Sequence, residues 1–199
     1  MAINKEVEVK TLLSKENYNK IINYFNFDIE TQIKQTNYYF DTSDLLFQRS
    51  RIAFRVRHLH NNNTYEMTAK LRQRDGSSIE LNQDISYFEF FNLLTTGKIP
   101  DGLVNEKLSL FLKLTRLNHI ASLTTYRYEV KYDDGLLAID ENHYANIIDY
   151  ELECEGESMA QCATIIKNLL NSMDIDFIEN KMGKRARAFQ ATRELKEKK

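Results

Sequence analysis

The sequence predicts an α+β fold of about eight antiparallel strands flanked by amphipathic helices, as one domain over residues 1–199, whose charged face either stays open to solvent or curls inward into an eight-stranded antiparallel β-barrel with a charged interior. Three observations lead there. Segment after segment alternates charged and apolar residues with period two, the pattern of a strand with one polar and one apolar face. Between these segments, apolar residues recur at helical spacing, which predicts helices able to cover the apolar face of a sheet. No Pro-, Gly- or Ser-rich linker divides the chain; Pro100 is the single proline, and the breaks at 97–102 and 133–135 read as connections within one fold.

Hydrophobic residues make up 42% of the chain, enough for a core, while 28% charged residues leave a surplus that the fold has to place. The net charge of −2 argues against non-specific coating of nucleic acid, although a local basic patch stays open. Cys154 and Cys162 have neither Cys-x-x-Cys spacing nor a paired histidine motif, so neither a zinc site nor a disulfide framework is predicted, and the compartment reads as reducing. Residues 1–10 carry charges where a signal peptide needs an apolar core, and no apolar run approaches a membrane span. The expectation is a cytoplasmic protein without a membrane partner.

In order, Glu6, Glu8 and Lys10 share one face of a first strand and Val7 and Val9 the other. Ser14 caps a helix with Tyr18, Ile21, Ile22 and Phe25 on one side. A strand over about 29–41 ends in Tyr38-Tyr39-Phe40-Asp41-Thr42, and 43–48 reads as a short helical turn. The strand 51–59 sets Arg51, Ala53, Arg55 and Arg57 against Ile52, Phe54 and Val56. After Asn61-Asn62-Asn63, Glu66, Thr68, Lys70 and Arg72 alternate with Tyr65, Met67, Ala69 and Leu71. A turn at Asp75-Gly76 leads into Glu80, Asn82 and Asp84 against Ile79, Leu81 and Ile85. Ser86 and Glu89 form a capping-box pattern for a helix, and a second helix is expected over about 104–114.

Thr125, Arg127, Glu129 and Lys131 then oppose Tyr126, Tyr128, Val130 and Tyr132, followed by a strand with Ala138 and Asp140 against Leu137 and Ile139. The next strand, with Asp149, Glu151, Glu153 and Glu155 on one face, is the acidic counterpart of the arginine strand. Ser158 and Gln161 open a helix whose apolar side includes Cys162, so both cysteines read as structural. The tail carries Lys181, Lys184, Arg185 and Arg187 before a charged, helical end at 196–199.

A dry barrel lined with these charges would cost several kcal/mol per buried ion, so a charged lining implies water and a charged ligand. Arg and Lys suit phosphate oxygens, and a few carboxylates with water suit Mg²⁺, so magnesium-polyphosphate satisfies both linings. A polar-faced open sheet and a nucleic-acid groove are the alternatives that the pattern leaves.

Glu6-Val7-Glu8-Val9-Lys10 matches the E-x-E-x-K signature of the CYTH, or triphosphate tunnel metalloenzyme, superfamily. Tyr39-Phe40-Asp41-Thr42, Arg55-Val56-Arg57, Lys70 with Arg72, Arg127 with Lys131, Asp140, Glu151 with Glu153, and Lys184 with Arg187 follow in that family's order. The chain most resembles the small, stand-alone, YjbK-like bacterial members. The resemblance implies an eight-stranded tunnel that binds a small triphosphate with Mg²⁺ or Mn²⁺. It implies Glu6, Glu8, Glu151 and Glu153 as metal ligands, directly or through water, with Asp140 as a further candidate. Lys10, Arg55, Arg57, Lys70, Arg72, Arg127, Lys131, Lys184 and Arg187 are implied phosphate-binding residues, and Glu6, Glu8, Lys10 and Lys70 the catalytic core.

The tail, Lys181-Met182-Gly183-Lys184-Arg185-Ala186-Arg187, departs from the Ser-Lys pair of many relatives, which leaves open the late cation that enters the tunnel. Tyr39 shares parity with Asp41, as a tunnel or a core residue. His58, His60, His119 and His143 show no metal-ligand spacing and are expected at the surface or at strand ends. The activity expected first is metal-dependent hydrolysis of inorganic triphosphate, with thiamine triphosphate next. The alternatives are an adenylyl cyclase and a non-catalytic sensor of polyphosphorylated nucleotide or polyphosphate.

Overall fold

The structure, a computed structural model, describes residues 7–72, 78–180 and 182–198. Glu6, the Asp75-Gly76 turn and Lys181 lie outside the described residues. The strands are β1 (Glu8–Leu13), β2 (Ile33–Thr42), β3 (Ile52–Leu59), β4 (Thr64–Arg72), β5 (Ser78–Ile85), β6 (Leu117–Tyr132), β7 (Gly135–Tyr144) and β8 (Ile147–Glu155). They form the expected eight-stranded sheet, in the hydrogen-bonded order β1-β8-β7-β6-β2-β3-β4-β5. The helices are α1 (Lys15–Phe25), α2 (Leu46–Arg49), α3 (Tyr87–Thr96), α4 (Leu103–Ser109), α5 (Met159–Ser172) and α6 (Lys184–Glu197). By contacts the chain forms two compact units, one of Gln35–Ser122 and the other of Glu6–Lys34 with Leu123–Lys199.

In the first unit, β2, β3, β4 and β5 pair antiparallel in sequence order. One face carries Phe40, Phe54, Ala69 and Leu81 with Val56 and Met67, all buried. Phe47 of α2, Phe90 and Leu93 of α3, and Val104 and Leu108 of α4 pack into the same cluster. The Ser86–Glu89 capping box forms as expected, and Gly97 at φ 73° closes α3 in the left-handed conformation that a side chain would strain.

In the second unit, β1 pairs with β8, β8 with β7, and β7 with β6. Its apolar face, Leu152 and Cys154 of β8 with Leu137 and Ile139 of β7, is covered by Tyr18 and Ile21 of α1 and by Cys162, Ile166, Leu169 and Leu170 of α5. Ser14 and Ser158 cap α1 and α5 through their hydroxyls, as their positions predict. Both cysteines are fully buried; burial and the neighbouring Cys162 push the Cys154 thiol up to about 12.

Three boundaries differ from expectation. Ile29–Thr31 is a 3-10 turn, because the Asp28 carboxylate accepts from the Glu30 N–H, and β2 starts only at Ile33. Helix α4 ends at Ser109, well short of residue 114. The basic tail is itself helical from Lys184 onward, so α6 is longer than the charged end that composition suggested.

Candidate functional site

Register builds the charged faces as rows across the strands, since directly paired residues project to the same side. In the second unit Arg127, Asp140 and Glu151 form one row across β6, β7 and β8. Glu129, Ala138, Glu153 and Lys10 form the next, across β6, β7, β8 and β1. Lys131, Leu136, Glu155 and Glu8 form a third.

In this unit the acids and cations are interleaved. Glu153 accepts from Lys10 at 2.7 Å and from Arg127 at 2.6 Å, and Lys184 Nζ stands 3.1 Å away. Arg127 forks onto Asp140 at 2.7 and 2.8 Å, and Lys184 also pairs with Asp140. Lys10 Nζ lies 2.8 Å from Glu8, and Arg187 donates to Glu151 at 2.6 Å. The physical reason is register: the acids of β8 lie in rows with Lys10 of β1 and, across β7, with Arg127 and Lys131 of β6, and α6 adds two cations. Both late cations, Lys184 and Arg187, reach this face.

Burial sharpens the electrostatics. Burial by itself would raise the Glu153 carboxyl, but Lys184, Lys10 and Arg127 hold it well below the usual carboxylate range. Burial raises the Glu151 carboxyl, because Lys184 and Arg187 compensate only in part and Glu153 adds repulsion. Lys10, Arg127 and Lys184 are all raised: burial works against their charge, and the neighbouring carboxylates outweigh it.

In the first unit the rows are Asn37, Arg57, Glu66 and Asp84; Tyr39, Arg55, Thr68 and Asn82; and Ala53, Lys70 and Glu80. Lys70 pairs with Glu80 at 2.9 Å, and Arg55 has a buried Nε without a hydrogen-bond partner. Tyr39 is buried in the row of Arg55, on the polar face. Arg72 and Lys131 are exposed, Lys131 beside a cavity of about 330 Å³ lined by Asp133, Asp134, Gly135, Leu136 and Glu155. Asp41 is structural: its carboxylate accepts from the backbone N–H groups of Thr42, Phe47 and Gln48 and so holds α2.

The histidines are engaged locally. His58 stacks on Tyr65, His60 contacts Thr36, His119 contacts Ser122 and His143 pairs with Glu141. Among the described residues no three His, Cys, Asp or Glu side chains converge as a ready-made metal site. The donor chemistry nevertheless fits a hard divalent cation. Glu8, Asp140, Glu151 and Glu153 offer carboxylate oxygens, and Glu151 Oε1 is buried with no hydrogen-bond partner. Sequence reading gave no role to Asp149, although its parity with Glu151 and Glu153 puts it on the same face; it binds Arg187 at 2.7 and 3.1 Å.

The site is thus a face of antiparallel strands bearing rows of paired carboxylates, guanidinium groups and amines. The match of the CYTH domain to residues 4–183 places the chain in the CYTH family. A Bacillus subtilis protein called "Putative triphosphatase YjbK" is 28% identical over 177 residues, covering 88% of this chain and 90% of its own. A crystal structure of a "putative adenylate cyclase" from Bacillus halodurans is 30% identical with a TM-score of 0.83, covering 95% of this chain and all of that one. A Hippeastrum protein, described as a "putative adenylyl cyclase" with a dominant triphosphatase activity, shares the fold at a TM-score of 0.78 and 18% identity. The match covers 94% of this chain and 95% of that one. The expected eight-stranded antiparallel fold is thus the fold of its relatives. Among the described residues no helix is long and apolar enough to cross a membrane.

Proposed function

We propose that the protein hydrolyses a small triphosphate, inorganic triphosphate first and thiamine triphosphate next, with Mg²⁺ or Mn²⁺. The observation that carries this reading is the buried network in which Lys10, Arg127, Lys184 and Arg187 neutralise Glu8, Asp140, Glu151 and Glu153. Such a network holds both halves of a site for a metal-bound polyanion: carboxylates for the cation and fixed cations for phosphate oxygens. The likeness to the Bacillus subtilis protein supports the same activity.

Glu8, Glu151 and Glu153, together with Glu6, are the proposed metal ligands, directly or through water, and Asp140 joins them. Lys10, Arg127, Lys131, Lys184 and Arg187 are proposed to bind phosphate in one unit, and Arg55, Arg57, Lys70 and Arg72 in the other. The metal, when bound, offsets phosphate charge and makes its water a better nucleophile. The residues of the chain contribute by partner exchange. Lys10, Arg127 and Lys184, whose charge the carboxylates now satisfy, would turn it to the oxygens of a bound triphosphate wherever those carboxylates held a cation. Arg127 presents a fork for two phosphate oxygens, and Lys10 and Lys184 act as point charges against charge building on the transferred phosphoryl group.

The test is phosphate release by the purified protein from inorganic triphosphate, thiamine triphosphate and ATP, with Mg²⁺, Mn²⁺ or chelator, and chromatography for cyclic AMP. Metal-dependent phosphate release, fastest from inorganic triphosphate, is expected. The name of the Bacillus halodurans relative favours a cyclase as the second reading. Cyclic AMP as the main product from ATP would replace the hydrolase with that reading, and tight binding without turnover would replace it with a sensor.

A further inference from the structure

One register step from the Arg127 row lies another row, Thr125, Asn142 and Asp149, across β6, β7 and β8. Its members are linked in series. Thr125 Oγ1 donates to Asn142 Oδ1 at 2.7 Å, and Asn142 Nδ2 donates to Asp149 Oδ1 at 3.1 Å. The Tyr144 hydroxyl donates to Asp149 Oδ2. Thr125 and Asn142 are fully buried and Tyr144 nearly so, so the Asp149 carboxylate is held from behind by groups that have no water to turn to.

Arg187, in the first turn of α6, closes the chain from the other side. Its Nε reaches Asp149 Oδ2 at 2.7 Å, and its Nη2 is shared between Asp149 Oδ1 at 3.1 Å and Glu151 Oε2 at 2.6 Å. Its Nη1 donates to the Met182 carbonyl at 2.7 Å, which ties the segment leading into α6 to the same guanidinium. The same turn carries Lys184, paired with Asp140 and Glu153. Gly183 gives the helix no side-chain cap, no acid lies in its first turn, and Ala188 and Ala191 are its only buried residues among those described. Its pairs Gln190–Glu194 and Arg193–Glu197 are exposed and internal to the helix.

We propose that Asp149 is a positioning residue: by gripping Arg187 at two points it anchors the first turn of α6, and thereby places Lys184 over Asp140 and Glu153. The anchor has a consequence for exchange of partners. Without Asp149, Arg187 would hold α6 only through Glu151, and a metal ion taking Glu151 would leave the first turn of the helix to the Lys184 pairs with Asp140 and Glu153 alone. With Asp149 in place, Glu151 can change partner while α6 stays docked. The planar fork of Arg187 matches the two carboxylate oxygens of Asp149, a fit that lysine cannot reproduce. The catalytic consequence rests on the triphosphatase reading; the anchoring does not.

The experiment therefore has two arms. In the first, hydrogen exchange of the metal-free protein is followed in Asp149→Asn, Arg187→Lys and Arg187→Ala. Amides of α6 should exchange at least tenfold faster in each, with β7 and β8 unchanged, and adding Asp149→Asn to Arg187→Ala should make exchange no faster than in Arg187→Ala alone. In the second, KM for triphosphate in Asp149→Asn should rise tenfold or more and outweigh any fall in kcat, and Asp149→Glu should restore part of the loss. Exchange in α6 at the wild-type rate would overturn the proposal. So would a uniform rise across β7, β8 and α6, which would make Asp149 a general stabiliser. If Asp149→Asn does not fold, Arg187→Lys carries the exchange arm. A wild-type protein without triphosphate turnover would end the triphosphatase reading and leave the exchange arm to decide the anchor.

Discussion

Glu151 and Glu153 stand two residues apart on one strand face, yet the fold treats their charges oppositely, and exchanging each for its uncharged isostere separates them. The Glu153 side chain is 4% exposed and meets Lys10, Arg127 and Lys184 within 3.1 Å. Removing one partner of a buried ion pair costs about 3–5 kcal/mol. Here Lys10 keeps Glu8, and Arg127 and Lys184 keep Asp140, so Glu153→Gln should fall at the low end, about 3 kcal/mol. For a chain of this size that is a drop in melting temperature of roughly 6–12 °C at pH 7. Glu151 has Arg187 on one oxygen and nothing on the other, and burial raises its carboxyl, so Glu151→Gln should be as stable as wild type or more so. The sign with pH follows. A depressed carboxyl contributes stability that is complete above its unfolded value, about 4.3, and is lost as pH falls through the folded one. The deficit of Glu153→Gln should be flat from about pH 5 to 8 and narrow in acid, whereas any gain in Glu151→Gln should grow as pH rises above that value. Thermal and urea melts in chelator, followed by circular dichroism, measure both. The reasoning is refuted if Glu153→Gln melts with wild type at pH 7, or if Glu151→Gln is the more damaging change.

Three further outcomes are expected. Phe54 is 1% exposed and stacked on Phe47 at 5.4 Å, so Phe54→Ala should cost roughly 3–5 kcal/mol in denaturant melts. Arg55→Ala, which removes a guanidinium with a partnerless buried nitrogen, should cost far less; the reverse order would put the faces of β3 the wrong way round. Asp41→Ala should lower stability by about 2–3 kcal/mol, because it strips charge-assisted bonds from three backbone N–H groups, while triphosphate KM stays unchanged. Glu8→Gln should abolish turnover or raise the metal concentration required by at least tenfold, which a metal titration of activity reads directly.

The parts of the fold that were legible in the sequence are those written in short-range pattern. Period-two alternation placed Arg55, Glu66 and Lys70 on one face and Phe54, Met67 and Ala69 on the other, and the serines at 14, 86 and 158 marked helix starts. The turn at Ile29–Thr31 had a local signal, the Asp28 carboxylate capping Glu30, which a strand-forming isoleucine obscured. Helix α6 had almost none: it docks through ion pairs and two alanines instead of an apolar stripe, so periodicity is silent. The candidate site residues were legible by type, but their partners were not. Lys10 and Glu153 are 143 positions apart and meet only because β1 pairs with β8 in one particular register. That register is also why the acidic strand is interleaved with cations, which supplies the pairs that the proposed function exchanges.

The central claim, that this network exchanges its internal partners for a metal-bound triphosphate, is tested most directly by melting the protein with each ligand alone and with both. Ligand at a hundredfold excess over Kd stabilises the folded state by about 2.7 kcal/mol, which for a chain of this length is a shift of roughly 5–10 °C. Metal alone leaves the amines and guanidinium groups short of partners, and triphosphate alone leaves the carboxylates so. Inorganic triphosphate with Mg²⁺ or Mn²⁺ is therefore predicted to give the full shift in wild type at short exposure, each component alone clearly less, and Lys184→Ala a reduced shift with the pair. A melt that no polyphosphate moves, with either metal and with well-folded protein, would contradict the account.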